Sequence, residues 1–333
     1  MTAEIGLYTG RREGRRTAAG ALPGIDVEKA VDPSGYIPDQ GLADAVNVAL
    51  ILCQPLLVTG EPGTGKTQLA FSVAWDLGLE APLVFETKST SVSRDLFYTF
   101  DNVARFQASH AAGTDLDPRG FMQFNALGLA IVRTLDPAER ARYTKGVADD
   151  APPRRSVVLI DEIDKAPRDF PNDILAEIEN LYFRIPELGQ AAIRANPALR
   201  PIVIVTSNSE KSLPDAFLRR CIYYNIPFPD QSRLEEIVLA RLPGIAAPEG
   251  SMLADVLDFF ALVRRPETAL RKRPGTAELI AWVNALLSLG ADSGASLRSQ
   301  HDLGARTLSA IAKHPEDQDR TAVLFQTWVQ SNA

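Results

Sequence analysis

Residues 60–67 read Gly-Glu-Pro-Gly-Thr-Gly-Lys-Thr, the pattern of a loop that wraps nucleotide phosphates. Its glycines let backbone N–H groups turn toward phosphate oxygens. A lysine in this place reaches the β- and γ-phosphates, and the next hydroxyl can bind Mg²⁺. A strand-like run precedes the loop and a helical pattern follows it, as this chemistry requires. The residues predicted to bind the nucleotide here are Gly60, Glu61, Pro62, Gly63, Thr64, Gly65, Lys66, Thr67 and Gln68.

A second pattern with chemical potential is the apolar run Val157–Ile160, which ends in Asp161 and Glu162. The carboxyl ends of strands face the ligand crevice in an open α/β sheet. Asp161 is therefore predicted to hold Mg²⁺, directly or through water. Glu162 is predicted to polarise an attacking water, either as a general base or by positioning it. Taken alone, the pair is equally typical of an ordinary acidic loop. The phosphate loop in the same chain favours one shared site.

A third apolar run, Ile202–Val205, continues into Thr206, Ser207 and Asn208. As a strand it would bring Asn208 to the same crevice. The side-chain amide is then suited to orient the water or to contact the γ-phosphate. The alternative is an asparagine that only forms a turn.

The elements that must position these residues alternate between apolar runs and helical patterns, which predicts an αβα sandwich with a five-stranded parallel sheet. The predicted strands are Pro55–Thr59, Pro82–Glu86, Val157–Ile160, Ile202–Thr206 and Ile222–Phe228. The predicted helices among them are Leu42–Ile51, Thr67–Leu77, Ser93–Phe106 and Phe170–Leu181.

The same patterns predict how the chain divides into domains. Residues 1–20 read as a flexible Arg- and Gly-rich tail or a basic contact arm, and 21–228 as the α/β core. A surface insertion, partly mobile, is expected at about 107–155. Residues 229–333 form a smaller all-α lid, with helices expected at Gln231–Leu242, Ser251–Val263, Thr276–Leu289 and Ala305–Lys313.

Composition excludes several classes of protein. A hydrophobic fraction of 45% with 23% charged residues is that of a folded chain, not a disordered one. The net charge of −7 argues against binding nucleic acid or anionic membranes through bulk charge. No run of 18 apolar residues predicts a membrane span and no apolar signal core stands at the start, so a cytoplasmic protein is expected. Cys53 and Cys221 are both expected to be reduced core thiols.

The order of phosphate loop, Asp-Glu strand, Asn strand and the run Leu213–Cys221 resembles the AAA+ ATPases, and within them the MoxR group. The group's Asp-Glu-Ile-Asn-Arg corresponds to Asp-Glu-Ile-Asp-Lys at 161–165, and its Leu-Asp-Arg-Phe to Leu-Arg-Arg-Cys at 218–221. The resemblance covers about residues 36–313. It implies ATP and Mg²⁺ as cofactors and hydrolysis of ATP as the reaction.

The resemblance also implies roles for residues outside these motifs. Arg220 is expected to reach the γ-phosphate of a neighbouring subunit, with the adjacent Arg219 as the other choice and a solvated arginine pair as the alternative. In the lid, Arg273 is expected near the nucleotide, while Arg271 or no arginine at all remains open. Tyr36, or Ile37 beside it, is expected to pack on the adenine or simply to anchor the core.

At the level of function, the resemblance implies a hexameric ring that remodels or helps mature a partner protein, such as one with a von Willebrand A domain. Insertions are expected after the second strand and, as a hairpin, at about 182–200. Three other classes stay open: a nucleotide-dependent switch, a motor in a DNA-acting or defence system, and a small-molecule kinase.

Overall fold

The computed structural model describes residues 32–112, 117–145, 151–189, 191–208, 213–245, 248 and 250–331. The predicted tail at 1–20 therefore lies outside the described residues. Contacts between Cα atoms group the described chain into two compact units. One runs from Ile37 to Phe228, and the other combines residues 32–36 with the chain from Pro229 onward.

The first unit is built on a parallel sheet. In chain order, the strands of the described residues are β1 Leu56–Gly60, β2 Leu83–Glu86, β3 Tyr98–Phe100, β4 Met122–Phe124, β5 Val157–Asp161, β6 Tyr182–Ile185, β7 Ala191–Arg194, β8 Ile202–Ser207 and β9 Ile222–Ile226. Five of them pair in the order β2-β5-β8-β1-β9, all parallel. This confirms the predicted fold class. β1 and β5 are apolar almost throughout because helices cover both faces of such a sheet.

The helices of this unit are Gln40–Leu52, Lys66–Asp76, Asn102–Ala112, Ala126–Arg133, Pro137–Arg140, Phe170–Asp173, Leu175–Asn180 and Asp215–Leu218. The single helix predicted at Ser93–Phe106 is wrong. A short 3₁₀ turn at Ser93–Leu96 leads into β3, and a helix begins only at Asn102. The aromatic and β-branched residues of β3 favour a strand, and they find a partner in β4.

The expected surface insertion at about 107–155 is wrong for the helix Ala126–Arg133. Leu127, Ala130 and Ile131 on that helix are fully buried, and the helix packs on β2 and β5. Its sequence is apolar nearly all round, which is typical of a buried helix. The Gly- and Asp-rich stretches that suggested a surface loop lie partly at 113–116 and 146–150, outside the described residues.

Two antiparallel strand pairs pack against each other: β3–β4, whose strands are joined through the helix Asn102–Ala112, and the hairpin β6–β7. Phe183 of β6 stacks on Phe97, with ring centroids 5.1 Å apart, and meets Phe124 of β4 edge to face. The Tyr98 hydroxyl donates a 2.8 Å hydrogen bond to Glu187, just after β6. Burial and this bond raise the pKa of Tyr98 above its usual value. The two strand pairs are therefore packed into one structural element.

The second unit is helical, with helices Gln231–Arg241, Met252–Arg264, Thr276–Ser288, His301–Thr307 and Pro315–Gln330. Phe259, Trp282, Phe325 and Trp328 pack together in its core. The helix predicted at Ala305–Lys313 is wrong, since the chain changes there from an α-helix to a 3₁₀ turn. The last helix was not predicted, and it begins at a proline that is well suited to its first position. None of the helices in the described residues could span a bilayer.

The two cysteines differ in their surroundings, and neither forms a disulfide. Cys221 packs against the apolar core of the sheet, and burial raises its pKa to about 12. Cys53 is exposed, so the prediction of a second core thiol is wrong. It lies just past the helix Gln40–Leu52 in a left-handed conformation, where the chain turns away from the helix.

The buried helix Ala126–Arg133 depends on close contact with the chain before β3. A Cβ atom at Gly128 would lie 1.9 Å from the carbonyl oxygen of Phe97. We expect Gly128→Ala to lower the free energy of unfolding by about 1–3 kcal/mol or more, because the helix must move away from the core. Urea unfolding measures this loss. Gly120→Ala is the control, because its Cβ would meet only Lys145 at an ordinary 3.5 Å and stability should change by less than about 0.5 kcal/mol.

Candidate functional site

The phosphate loop leaves the end of β1 and enters the helix Lys66–Asp76. Gly65 immediately precedes the helix with φ of 88°, a conformation that favours glycine. Gly60 has φ of 148°, and a Cβ there would lie 2.8 Å from the carbonyl oxygen of Ile226 on β9. Gly65 therefore allows the turn into the helix, and Gly60 allows the loop to pack closely against β9.

Lys66 opens this helix and is 6% exposed. Its ammonium group donates 2.9 Å hydrogen bonds to the carbonyl oxygens of Gly60 and Glu61, at the start of the loop. The helix N-terminus adds partial positive charge at the same place. Oxygen acceptors of a phosphate are the natural replacement for these carbonyls, so the loop is built to hold an anion.

The Asp161 carboxylate, at the end of β5, is the meeting point of three elements. The Thr67 hydroxyl, from the phosphate-loop helix, lies 3.0 Å from Oδ1 and 3.2 Å from Oδ2. The Thr206 hydroxyl, from β8, donates to Oδ1 at 2.6 Å. A hydroxyl beside a carboxylate is a hard oxygen donor set, which fits Mg²⁺. Thr67 and Asp161 are the residues that would hold the ion.

Glu162 follows Asp161 in a left-handed conformation with φ of 54°. This backbone costs roughly 1–2 kcal/mol for a residue with a side chain. Its N–H donates to the Thr206 hydroxyl at 2.8 Å. Its carboxylate accepts a 3.2 Å hydrogen bond from the Asn208 amide and another from Lys165. The bond to Glu162 raises the pKa of Lys165. The Asn208 amide and the Lys165 ammonium group therefore hold the carboxylate of this strained residue between them.

Asn208 is fixed from two sides. Besides its side-chain bond to Glu162, its N–H donates to the buried Asp164 carboxylate at 3.2 Å. The structure thus brings Thr67, Asp161, Glu162 and Asn208 together. It adds Thr206, Asp164 and Lys165, which the sequence motifs did not single out. Only their position, within three residues of a predicted site residue, could have indicated a role.

Arg220 lies just after the helix Asp215–Leu218 and makes its contacts elsewhere. Its Nε donates to the Glu179 carboxylate at 3.0 Å, and its Nη1 to the Ala216 carbonyl at 3.0 Å. Arg219 is exposed. Among the residues that the structure describes, neither arginine hydrogen-bonds to the Asp161 cluster.

The remaining predicted residues fall into two groups. Gln68 stands on the first turn after the loop, and its Oε1 is buried and accepts no hydrogen bond from the described residues. Thr64 donates to the Glu61 carbonyl at 2.9 Å, within the exposed part of the loop. Tyr36 and Arg273 belong to the other unit.

In the second unit, Arg273 is exposed and lies two residues before Gly275, the N-cap of the helix Thr276–Ser288. The loop before it is held by the buried Asp317, which accepts from the N–H groups of Arg271 and Lys272 at 2.9 and 3.0 Å. The Arg271 side chain pairs with Glu316 at 2.8 Å. Tyr36 follows the 3₁₀ turn Pro33–Gly35 and is partly buried.

A parallel sheet with a phosphate loop after its first strand defines a nucleotide-binding α/β fold of the phosphate-loop class. The profile of the AAA family, ATPases associated with various cellular activities, matches residues 56–229. The chain belongs to this family. Members of this family typically bind and hydrolyse ATP and assemble into rings.

Two solved structures resemble the chain at low sequence identity. No curated protein matches it significantly. A structure from work on katanin self-assembly is 15% identical, with 94% of this chain and 99% of that chain covered and a TM-score of 0.42. The Thermotoga maritima RuvB Holliday junction branch migration motor is 14% identical, with 87% and 71% covered and a TM-score of 0.42. Similarities this low do not extend the conclusion beyond the family.

The Thr206 hydroxyl is fully buried and joins Asp161 to the backbone of Glu162. We expect Thr206→Val, which keeps the shape, to lower the free energy of unfolding by about 1–3 kcal/mol, because the Glu162 N–H loses its acceptor. Chemical denaturation measures the change. Thr99→Val on the exposed side of β3 is the matched control, with a change of less than about 0.5 kcal/mol. Equal stability of both variants would contradict a structural role for this hydroxyl.

Proposed function

We propose that this protein is an ATP-hydrolysing AAA machine that remodels or helps mature a partner protein. One observation carries the catalytic part of the proposal. A continuous hydrogen-bonded network runs from Thr67 through Asp161 and Thr206 to Glu162 and Asn208. Phosphate-binding, metal-binding and water-orienting groups therefore stand in one connected site.

Within this proposal each residue has a separate task. Lys66 and the N–H groups of its loop bind the β- and γ-phosphates, while Thr67 and Asp161 hold Mg²⁺. The ion, when bound, neutralises charge on the phosphate oxygens. Asn208 keeps the Glu162 carboxylate at the end of β5, next to the loop.

The contacts of Glu162 favour one of its two predicted roles. An ammonium group and an amide both donate to this carboxylate and fix its position. We infer that Glu162 acts by orienting the attacking water.

The remodelling part of the proposal rests on the resemblance to the MoxR group and on the two strand pairs, β3–β4 and β6–β7. β3–β4 follows the second strand of the sheet and β6–β7 precedes β8, the two places where that group carries insertions. We propose a hexameric ring, with a client or cofactor protein such as one with a von Willebrand A domain. Arg220, or Arg219 beside it, serves the neighbour's nucleotide, and Arg273 and Tyr36 serve the subunit's own.

Glu162→Gln tests the catalytic assignment, because it keeps the volume of the side chain and removes its charge. We expect ATP binding close to wild type and hydrolysis at least ~100-fold slower, since the water is no longer oriented. Phosphate release and binding of a fluorescent ATP analogue measure the two effects. Lys66→Ala is the control that should lose binding itself. Wild-type turnover in Glu162→Gln, or no turnover in the wild-type protein at any concentration, would contradict the proposal.

The role of Arg220 is tested by mixing two inactive variants. Arg220→Ala should bind ATP but lose roughly 10³-fold in turnover, because charge on the γ-phosphoryl group is not neutralised. Lys66→Ala should bind no ATP but keep its Arg220. In mixed rings, an intact pocket meets an intact arginine at some seams, and partial activity should return.

Native mass spectrometry establishes whether the mixed rings form. Mixed rings without any recovered activity would show that Arg220 does not act across the seam. The same mixture with Arg219→Ala decides which of the two arginines serves the neighbour.

A further inference from the structure

A groove opens at the edge of the main sheet opposite the phosphate loop. We call it the amino-edge groove, because it lies where β1 and β8 begin. It is lined chiefly by Leu50, Cys53, Arg155, Ile178, Leu181 and Arg200. Its empty volume is about 500 Å³, with the open solvent at its mouth included. All of these residues belong to the first unit.

The charge of the groove is opposite to that of the chain. The whole protein has 42 acidic against 35 basic residues, yet two arginines and no carboxylate line this groove. Arg155 donates one bond to the Ala198 carbonyl at 3.1 Å, and Arg200 one to the Glu179 carbonyl at 3.0 Å. Guanidinium groups with donors to spare favour a carboxylate, which they bind with two parallel hydrogen bonds.

The groove also has an apolar part that continues onto the surface. Ile178 and Leu181 are almost fully buried in its wall. On the last turn of the helix Gln40–Leu52, between the lining residues Leu50 and Cys53, Ile51 is 78% and Leu52 is 55% exposed. Large apolar side chains grouped at the surface beside a polar pocket are typical of a protein-binding surface.

We propose that the amino-edge groove binds an acidic segment of a partner protein. The carboxylate of an Asp or Glu in that segment pairs with Arg155 and Arg200. A neighbouring apolar side chain of the segment packs against the exposed Ile51 and Leu52. This surface is separate from the phosphate loop, and the proposal does not depend on ATP hydrolysis.

Cys53 offers a reporter for binding in this groove without any change to the chain. The chain has two cysteines, and the pKa of Cys221 is raised to about 12. At pH 8 a thiol reagent such as iodoacetamide should therefore modify Cys53 and leave Cys221 intact, because the thiolate is the reacting form. A segment bound in the groove should shield Cys53 from the reagent.

To test this, random twelve-residue peptides displayed on phage are selected for binding to the wild-type chain. Peptides that also bind Arg155→Glu are removed by counter-selection. We expect the selected peptides to carry Asp or Glu beside a large apolar residue. They should slow alkylation of Cys53 at least fivefold, and saturating ATP should not displace them. Their affinity should fall at least tenfold in Arg155→Glu. Arg142→Glu, the same charge change at an exposed site elsewhere in this unit, should change it less than twofold.

Arg200→Lys is a second variant, which keeps the charge and loses the paired geometry; it should weaken binding without unfolding the chain. Selected peptides that are basic or neutral, that bind Arg155→Glu as well as wild type, or that leave Cys53 reactive would overturn the proposal. Alkylation that slows with rising protein concentration alone, and no longer does so in Arg155→Glu, would place a second copy of this chain in the groove instead. A selection that yields no groove-dependent peptide would also count against it.

Discussion

The Asp161 carboxylate ties together three elements that are far apart in the sequence. It accepts hydrogen bonds from Thr67, after β1, and from Thr206, at the end of β8. Because β5 pairs with β8 and β8 pairs with β1, the carboxyl ends of these strands must finish level with one another. A slip of one residue in any pair would turn the side chains of that strand to the opposite face and break the connection. The geometry of the site therefore depends on the register of the sheet.

Sequence could predict those parts of the fold that are specified locally. Buried parallel strands are short apolar runs, and the phosphate loop is a contiguous pattern, so both are visible without the structure. The buried helix Ala126–Arg133 was missed because its neighbours are rich in Gly, Pro and Asp, and the composition of the whole segment concealed six buried residues. β3 was missed because its pairing with β4 lies more than twenty residues away. The apolar residues beside Cys53 predicted a buried thiol. The residue is exposed because it lies at the end of the helix, where the chain turns away.

The candidate site divides in the same way. The strand-end positions of Asp161, Glu162 and Asn208 follow from the topology, and the structure brings them together. The choice of hydrogen-bond partners does not follow from it. Lys165 reaches Glu162 only because the chain turns back on itself in the 3₁₀ turn Ile163–Lys165. The ion pair between Arg220 and Glu179 joins residues 41 positions apart, and no local pattern announces it.

The contact between the two strand pairs, β3–β4 and β6–β7, has a mechanical consequence. Phe183 stacks on Phe97, and Tyr98 donates a hydrogen bond to Glu187. Neither strand pair can therefore be displaced without moving the other or breaking this packing. A force applied to β6–β7 is shared with β3–β4 and, through the helix that follows β4, with the sheet itself. β6 in turn begins two residues after Asn180, the end of a helix that follows the Asp-Glu strand. The force that this element withstands before it unfolds is therefore set by the packing between the two strand pairs, and not by either pair alone.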